Sequence, residues 1–174
     1  MPSLLARTPA EGLLPITQGT VTLAETVPDA ITSLALLQGA TLDLPPPNRS
    51  TKLGDATLLW SGRSQVLALG PAPSPAPGIA VTDQSDAFVV LHLSGQDADA
   101  VLARLTPLDL STIEPSHTAR SLLGHINTLF HRLDAEAWQL LLFRSMAAHA
   151  VHEIDRAMRG VVARATLDRD LSDS

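Results

Sequence analysis

The sequence predicts an α+β fold made of two β-α-β-β-α-β pseudo-repeats, of which the first is trimmed. Three observations lead to this prediction. Short apolar runs bounded by turn residues, which are typical of strands, occur on both sides of a proline-rich spacer at 70–79. Apolar residues with the i, i+3, i+4, i+7 spacing of an amphipathic helix recur in the second half. In addition, both halves show the order strand, helix, Leu-Asp-Leu, loop and hairpin.

The domain boundaries follow from that spacer, in which proline occupies alternate positions and favours an extended chain. In chain order we predict a flexible N-terminal arm at 1–20, a first α+β half-repeat at 21–69, the spacer at 70–79, a second α+β repeat at 80–165 and a disordered tail at 166–174. The spacer takes the place of the second helix of the first repeat, and we therefore describe that repeat as trimmed.

One helix and one hairpin are predicted in the first half. Asp29 can cap a helix over 31–38, and Gly39 suits the left-handed conformation that often follows a helix C-terminus. The apolar runs at 57–60 and 66–69 flank a short polar turn, so they predict a β-hairpin.

The second half carries stronger signals. The run at 87–93 predicts a central strand, and the periodic apolar residues at 98–105 predict a helix. The segments 122–132 and 138–143 predict two further strands joined by a short loop. Ser145 can cap a last helix, whose apolar stripe consists of Ala147, Ala150, Val151, Ile154 and Met158.

Composition and charge exclude several classes of function. The chain has 174 residues, a net charge of −6 and a single lysine, so it offers no basic surface for nucleic acid. It has no cysteine, which excludes disulfides, thiol catalysis and thiolate metal sites. No apolar run approaches the roughly 20 residues of a membrane span, and we expect a cytoplasmic protein. Charged residues make up only 17% of the chain, which favours a surface that contacts another protein.

Histidine spacing does not predict a catalytic metal site. His125 and His131 fall on one predicted strand, but at ~3.3 Å per residue they stand about 20 Å apart, too far to share a zinc ion. His149 and His152 are three residues apart on the last helix, without either helical zinc pattern. With Arg156 they occupy the face opposite the apolar stripe, which predicts a solvent-facing or partner-facing surface, with a metal site as the alternative.

Other catalytic motifs are absent from the sequence. Ser116 and His117 are adjacent, and since neighbours rarely align as nucleophile and base, both are predicted to be loop residues. The chain has no Gly-x-Ser-x-Gly elbow and no glycine-rich phosphate loop. The residues alone therefore predict no catalytic or metal-ligating residue here and leave any cofactor-binding residue unknown.

Several segments share an order and spacing with a known family: 44–47, Asn48-Arg49 and Leu59-Trp60 in the first half, and 85–98, 107–110, 122–132 and 138–145 in the second. Over residues 28–158 the sequence resembles the gamma subunit of heterotetrameric sarcosine oxidase. Two features depart from that family: the segment 60–68, and the proline spacer, which stands where the family commonly has a helix.

This resemblance implies the fold of the folate-binding domain of the glycine-cleavage T-protein, with two ferredoxin-like pseudo-repeats. It also implies a complex that oxidises sarcosine to glycine, reduces oxygen to hydrogen peroxide and transfers the methyl-derived carbon to tetrahydrofolate. In that family the larger alpha and beta subunits hold FAD, FMN, NAD and tetrahydrofolate. The resemblance therefore implies no cofactor in this chain, no activity of the isolated chain, and the alpha and beta subunits as partners.

Large aromatic side chains dominate many interfaces, and the histidine-bearing helix face is a second candidate surface. The candidate interface residues are Trp60, Trp138, His149, His152 and Arg156. Burial in the core is the alternative for both tryptophans. Two alternatives for function also stay open: a freestanding folate-binding or one-carbon transfer module, and a gamma-like subunit of an oxidase for another N-methyl amino acid.

Overall fold

The structure, a computed structural model, describes residues 7–38, 40, 42–71, 74 and 76–172. These residues form two antiparallel sheets and two α-helices, which confirms the predicted α+β class. Within the same part of the chain, no helix has the length and apolar character that a membrane span requires.

The larger sheet has six strands, and two helices cover one of its faces. In spatial order the strands are β1 (Ile16–Gln18), β2 (Val21–Thr26), β8 (Phe88–Ser94), β11 (Ala137–Phe143), β10 (Ile126–Arg132) and β9 (Thr118–Leu123). The helices are α1 (Ala98–Leu102) and α2 (Ala147–Ser172). β8 and β11 lie at the centre and are largely buried, which confirms the central strand predicted at 87–93.

The smaller sheet has five strands. In spatial order they are β4 (Ser50–Leu53), β5 (Ala56–Gly62), β6 (Gln65–Leu69), β3 (Ile31–Leu36) and β7 (Ile79–Asp83). β5 and β6 pair as an antiparallel hairpin, which confirms the hairpin predicted from the two apolar runs.

The helix predicted over 31–38 is wrong, because this segment forms β3 and pairs with β6 and β7. Ile31 and Leu34 are three residues apart, which would place them on one side of a helix. On the strand they lie on opposite faces, Ile31 between the two sheets and Leu34 on the outer side of the smaller sheet. A strand that is buried on both faces has lost the period-2 alternation that distinguishes it from a helix. Gly39, the predicted helix stop, lies outside the described residues.

Three apolar clusters hold these layers together. The first and largest fills the space between the six-stranded sheet and the helices, and it contains the whole predicted stripe of α2. The second joins the two sheets face to face, where Leu59 and Leu67 of the smaller sheet meet Leu129 and Leu141 of the larger one. The third lies on the outer face of the smaller sheet, where Leu42 and other partly buried apolar residues pack in place of a helix.

Two boundaries in the second half differ from the prediction. The segment 122–132 was expected to be one strand, but the chain turns at Gly124, whose φ is +60°, and β9 ends before it. His125 therefore lies in a turn and not on the strand of His131. Ser145 lies within a short 3₁₀ segment, Arg144–Met146, and does not cap α2, which begins at Ala147.

The two sheets do not divide the chain at the spacer. β1, within the expected arm, and β2 belong to the larger sheet, whereas β7, which follows the spacer, belongs to the smaller one. α2 continues to Ser172, through most of the expected tail. The second half runs β8-α1-β9-β10-β11-α2, with one more strand between its helices than a ferredoxin-like repeat has, and β2 fills the sheet position beside β8. Residues 1–6, 72, 73, 75, 173 and 174 of the predicted arm, spacer and tail lie outside the described residues.

Candidate functional site

Trp138, one of the candidate interface residues, lies in the core. It is 0% exposed on β11, and its indole Nε1 donates a hydrogen bond of 2.7 Å to Asp99 Oδ1 on α1. The Arg132 guanidinium lies over the indole ring at 4.9 Å from its centroid and forms a 3.0 Å ion pair with Asp99. Trp138 is therefore buried in the core, which was the alternative to an interface position, and its side chain offers no surface to a partner.

Trp60 lies where the two sheets approach each other and is only half-buried. Its backbone carbonyl accepts a 3.2 Å hydrogen bond from Thr118 Oγ1, and its backbone N–H donates to Arg49 O at 3.1 Å. The indole belongs to none of the three apolar clusters formed by the described residues. Trp60 therefore keeps accessible surface next to a fixed backbone and stays a candidate for contact with a partner.

His149, His152 and Arg156 are exposed on α2, on the side away from the sheet. Arg156 donates a 2.7 Å hydrogen bond to Glu153 on the same helix. Among the described residues no group of three histidine or carboxylate side chains could hold a metal ion. The metal alternative for His149 and His152 therefore finds no third ligand in that part of the chain.

The exposed face of α2 continues beyond these three residues. Positions 149, 152, 156, 163, 167 and 171 are separated by three, four or seven residues, which keeps them on one side of the helix. At the C-terminal end this side carries Leu167 and Leu171, which are 60% and 76% exposed. We call this set of six positions the outer stripe of α2. Leu167 and Leu171 make the C-terminal end of this stripe apolar. They were not predicted on the stripe because the expected helix ended before residue 166.

Ser50, His131 and Gln139 come together where the two sheets meet, 81 residues apart in sequence between Ser50 and His131. Ser50 Oγ lies 2.9 Å from His131 Nε2, and His131 Nδ1 lies 3.2 Å from Gln139 Oε1. With the proton on Nδ1, the ring donates to Gln139 and accepts from the Ser50 hydroxyl. Burial lowers the pKa of His131, opposed by the hydrogen bond that the ring donates to Gln139, so the ring is held in its neutral form.

This arrangement resembles a nucleophile and its base, but it lacks the orienting carboxylate of a catalytic triad. An amide oxygen fixes the ring tautomer without supplying the negative charge that stabilises an imidazolium. Ser50 Oγ also lies 3.2 Å from the Ser116 carbonyl, which is a second acceptor for the single hydroxyl proton. The geometry is that of a neutral polar link between the sheets.

Ser116 and His117 lie in the loop before β9, as predicted. The partners of the imidazole are Arg49 and the backbone of Glu114: His117 Nδ1 lies 3.0 Å from both Arg49 Nη1 and Glu114 N. Glu114 also pairs with Arg49 at 3.5 Å. His117 is therefore used to attach the loop to Arg49.

A cleft of about 250 Å³ opens between the two sheets. Its polar lining residues include Arg120, Asn127 and Gln84, and its apolar lining includes the stacked rings of Phe88 and Phe143, with centroids 5.4 Å apart. The residues that line it include no aspartate or glutamate. No local sequence pattern marks this cleft, because its lining residues come from both sheets.

The described fold is similar to that of a chain in the heterotetrameric sarcosine oxidase of Corynebacterium sp. U-96, solved in complex with pyrrole 2-carboxylate. The TM-score is 0.78 at 23% sequence identity, and the match covers 91% of this chain and 97% of that chain. No family model matches the sequence, and a comparison with curated proteins finds no match. The resemblance is therefore confirmed at the level of the fold, with a chain of similar length.

Proposed function

We propose that this chain is the small, non-catalytic gamma subunit of a heterotetrameric sarcosine oxidase complex. In this proposal it supports the assembly of the larger alpha and beta subunits, which bind the flavins and folate. The complex converts sarcosine, oxygen and tetrahydrofolate into glycine, hydrogen peroxide and 5,10-methylenetetrahydrofolate. FAD, FMN, NAD and tetrahydrofolate are assigned to the other subunits, and no residue of this chain is proposed to hold one of them.

The observation that carries the proposal is the fold similarity over nearly the whole length of both chains. Fold alone does not define function, because one fold can serve many functions. The ordered segments of the sequence resemblance add to it, since they fall on elements that organise the fold: 85–98 covers β8, and 138–145 covers most of β11. These two strands pair along their whole length at the centre of the larger sheet.

The outer stripe of α2 supports a docking role for this chain. Leu167 and Leu171 are highly exposed, and they continue the face of His149, His152 and Arg156 that the sequence analysis selected. Exposed leucines at helical spacing are typical of a helix that completes its packing against a partner. We propose that this stripe contacts one of the large subunits.

The freestanding folate-binding alternative receives less support. Small-molecule sites combine an apolar wall with a few polar groups that orient the ligand, and a pterin ring needs an acceptor for its amino group and ring N–H. The cleft between the sheets has no carboxylate in its lining, and the side-chain acceptors that line it are neutral amide and hydroxyl oxygens. The choice between sarcosine and another N-methyl amino acid stays with the subunits that bind the substrate.

Co-expression tests the proposal. The full chain is produced together with the large flavoprotein chains of a sarcosine oxidase from the same genome, with an affinity tag on the largest chain. We expect this chain to co-purify in constant ratio through size-exclusion chromatography. Absence of this chain from the purified oxidase would contradict the proposal.

Matched variants then locate the contact. L167E/L171E adds two negative charges to the outer stripe, whereas A165E/S172E adds the same charge at exposed positions on another side of α2. The first pair is expected to weaken co-purification at least tenfold and the second to leave it unchanged. Equal effects of the two pairs of substitutions would show that the interface does not include the outer stripe.

A further inference from the structure

The cleft between the two sheets is lined by an arginine and several side-chain amides that the proposed subunit role does not use. Arg120 lies on β9, directly opposite Leu129 of β10, so its side chain leaves the sheet on the face that meets the smaller sheet. Its Nη1 donates a 3.1 Å hydrogen bond to Ser61 O on β5. Arg120 is an exposed residue, and this bond holds its guanidinium against the smaller sheet.

Arg120 has no carboxylate partner among the described residues, although seven ion pairs join other charged side chains there. A guanidinium has five N–H donors, and the bond to Ser61 uses one. The side-chain amides of Asn127 on the larger sheet and of Gln84 and Gln65 on the side of the smaller sheet also line the cleft, and all of them can donate. With no acidic residue in its lining, the cleft presents one positive charge and several donors in a chain whose net charge is −6.

The face of the larger sheet that carries Arg120 also forms an apolar wall, at β8 and β11. Phe88 and Phe143 stack with their planes 18° apart, and Phe143 is 52% exposed although it ends a central strand. Leu67 and Leu141 line the cleft beside them. A planar ring can pack on this wall by stacking or edge contact.

We propose that this cleft binds a small planar carboxylate, with the anion paired to Arg120 and the ring against Phe88 and Phe143. An Arg–carboxylate pair can be bidentate and charge-assisted, which makes it stronger than a bond between neutral groups. The cleft volume of about 250 Å³ is below the roughly 300–1,000 Å³ of sites for drug-sized ligands. It therefore suits a ligand with one ring.

Benzoate is the probe, and benzamide is its neutral counterpart of nearly the same shape. Binding to the full chain is measured by saturation-transfer NMR and by titration of amide chemical shifts. A ligand of this size with ordinary efficiency binds with a Kd of about 1 mM or tighter. We expect benzoate to bind at this level and benzamide at least tenfold more weakly. Equal binding of the two probes, or no benzoate binding at about ten times that concentration, would overturn the proposal.

R120Q tests the cation, because glutamine keeps a polar donor but removes the charge. R169Q is the control, an arginine of α2 on the other side of the larger sheet. Benzoate binding should weaken at least tenfold in R120Q and stay unchanged in R169Q, with the melting temperatures showing that both variants are folded. Unchanged benzoate binding in R120Q together with a weakened association with the large subunits would refute the ligand site and assign Arg120 to a partner contact.

Discussion

The cluster of Trp138, Asp99 and Arg132 gives the sharpest prediction about stability. W138F removes the indole N–H that donates to Asp99 at 2.7 Å and leaves part of a fully buried ring site empty. A hydrogen bond to a charged group contributes about 1.5–3 kcal/mol, and the low end applies here because the Asp99 side chain is 41% exposed. With a cavity contribution added, we expect a loss of about 2–4 kcal/mol in the free energy of unfolding.

Urea unfolding of the full chain, followed by far-UV circular dichroism, measures this loss as a change in midpoint at constant slope. W60F is the matched control and should cost less than about 1 kcal/mol, since Trp60 is half-buried and outside the apolar clusters. D99N is the milder second variant, and the D99N/W138F double mutant should show a coupling of at least about 0.5 kcal/mol. Equal costs for W138F and W60F would refute the assignment of Trp138 to the core and Trp60 to the surface.

The remaining predictions concern His131 and two glycines. Burial lowers the pKa of folded His131, so below about pH 6.5 the unfolded chain takes up a proton first and the folded state loses stability, by at most about 1.4 kcal/mol per pH unit. Chemical unfolding between pH 7.5 and 5.5 should show this fall in the wild type and in the exposed control H149Q, whereas a fall of the same size in H131Q would count against it. G95A should destabilise the chain far more than G124A: both glycines have positive φ, but a Cβ at Gly95 meets the Thr20 backbone and at Gly124 it meets open space. We expect about 1 kcal/mol for G124A and at least about 3 kcal/mol for G95A in thermal unfolding, and similar melting temperatures would refute the close approach at Gly95.

The sequence predicted those elements whose signals are local. The hairpin of β5 and β6, the central strand β8 and the buried stripe of α2 each depend on the period of apolar residues within one segment. At 31–38 the same kind of signal misled, because Ile31 and Leu34 are buried on opposite faces of a strand. β1 and β2 were not predicted in the larger sheet, since β2 pairs with β8 across more than sixty intervening residues.

The candidate sites depend even more on distant contacts. Nothing near Ser50 in the sequence indicates that its hydroxyl reaches His131, and the cleft around Arg120 exists only because the two sheets meet face to face. Trp138 was considered for both core and interface because the sequence does not show which residues lie next to it. In the structure its indole N–H donates to Asp99 inside the protein. Only the exposed face at His149, His152 and Arg156 followed from a local pattern, and these three positions do lie on one side of α2.

Native mass spectrometry of the affinity-purified oxidase, expressed with and without this chain, tests the subunit role most directly. We expect one mass in which this chain is present in fixed stoichiometry with the large flavoprotein subunits, and a smaller or heterogeneous assembly when this chain is omitted. A large-subunit assembly of unchanged mass and homogeneity, beside this chain as a separate monomer, would contradict it.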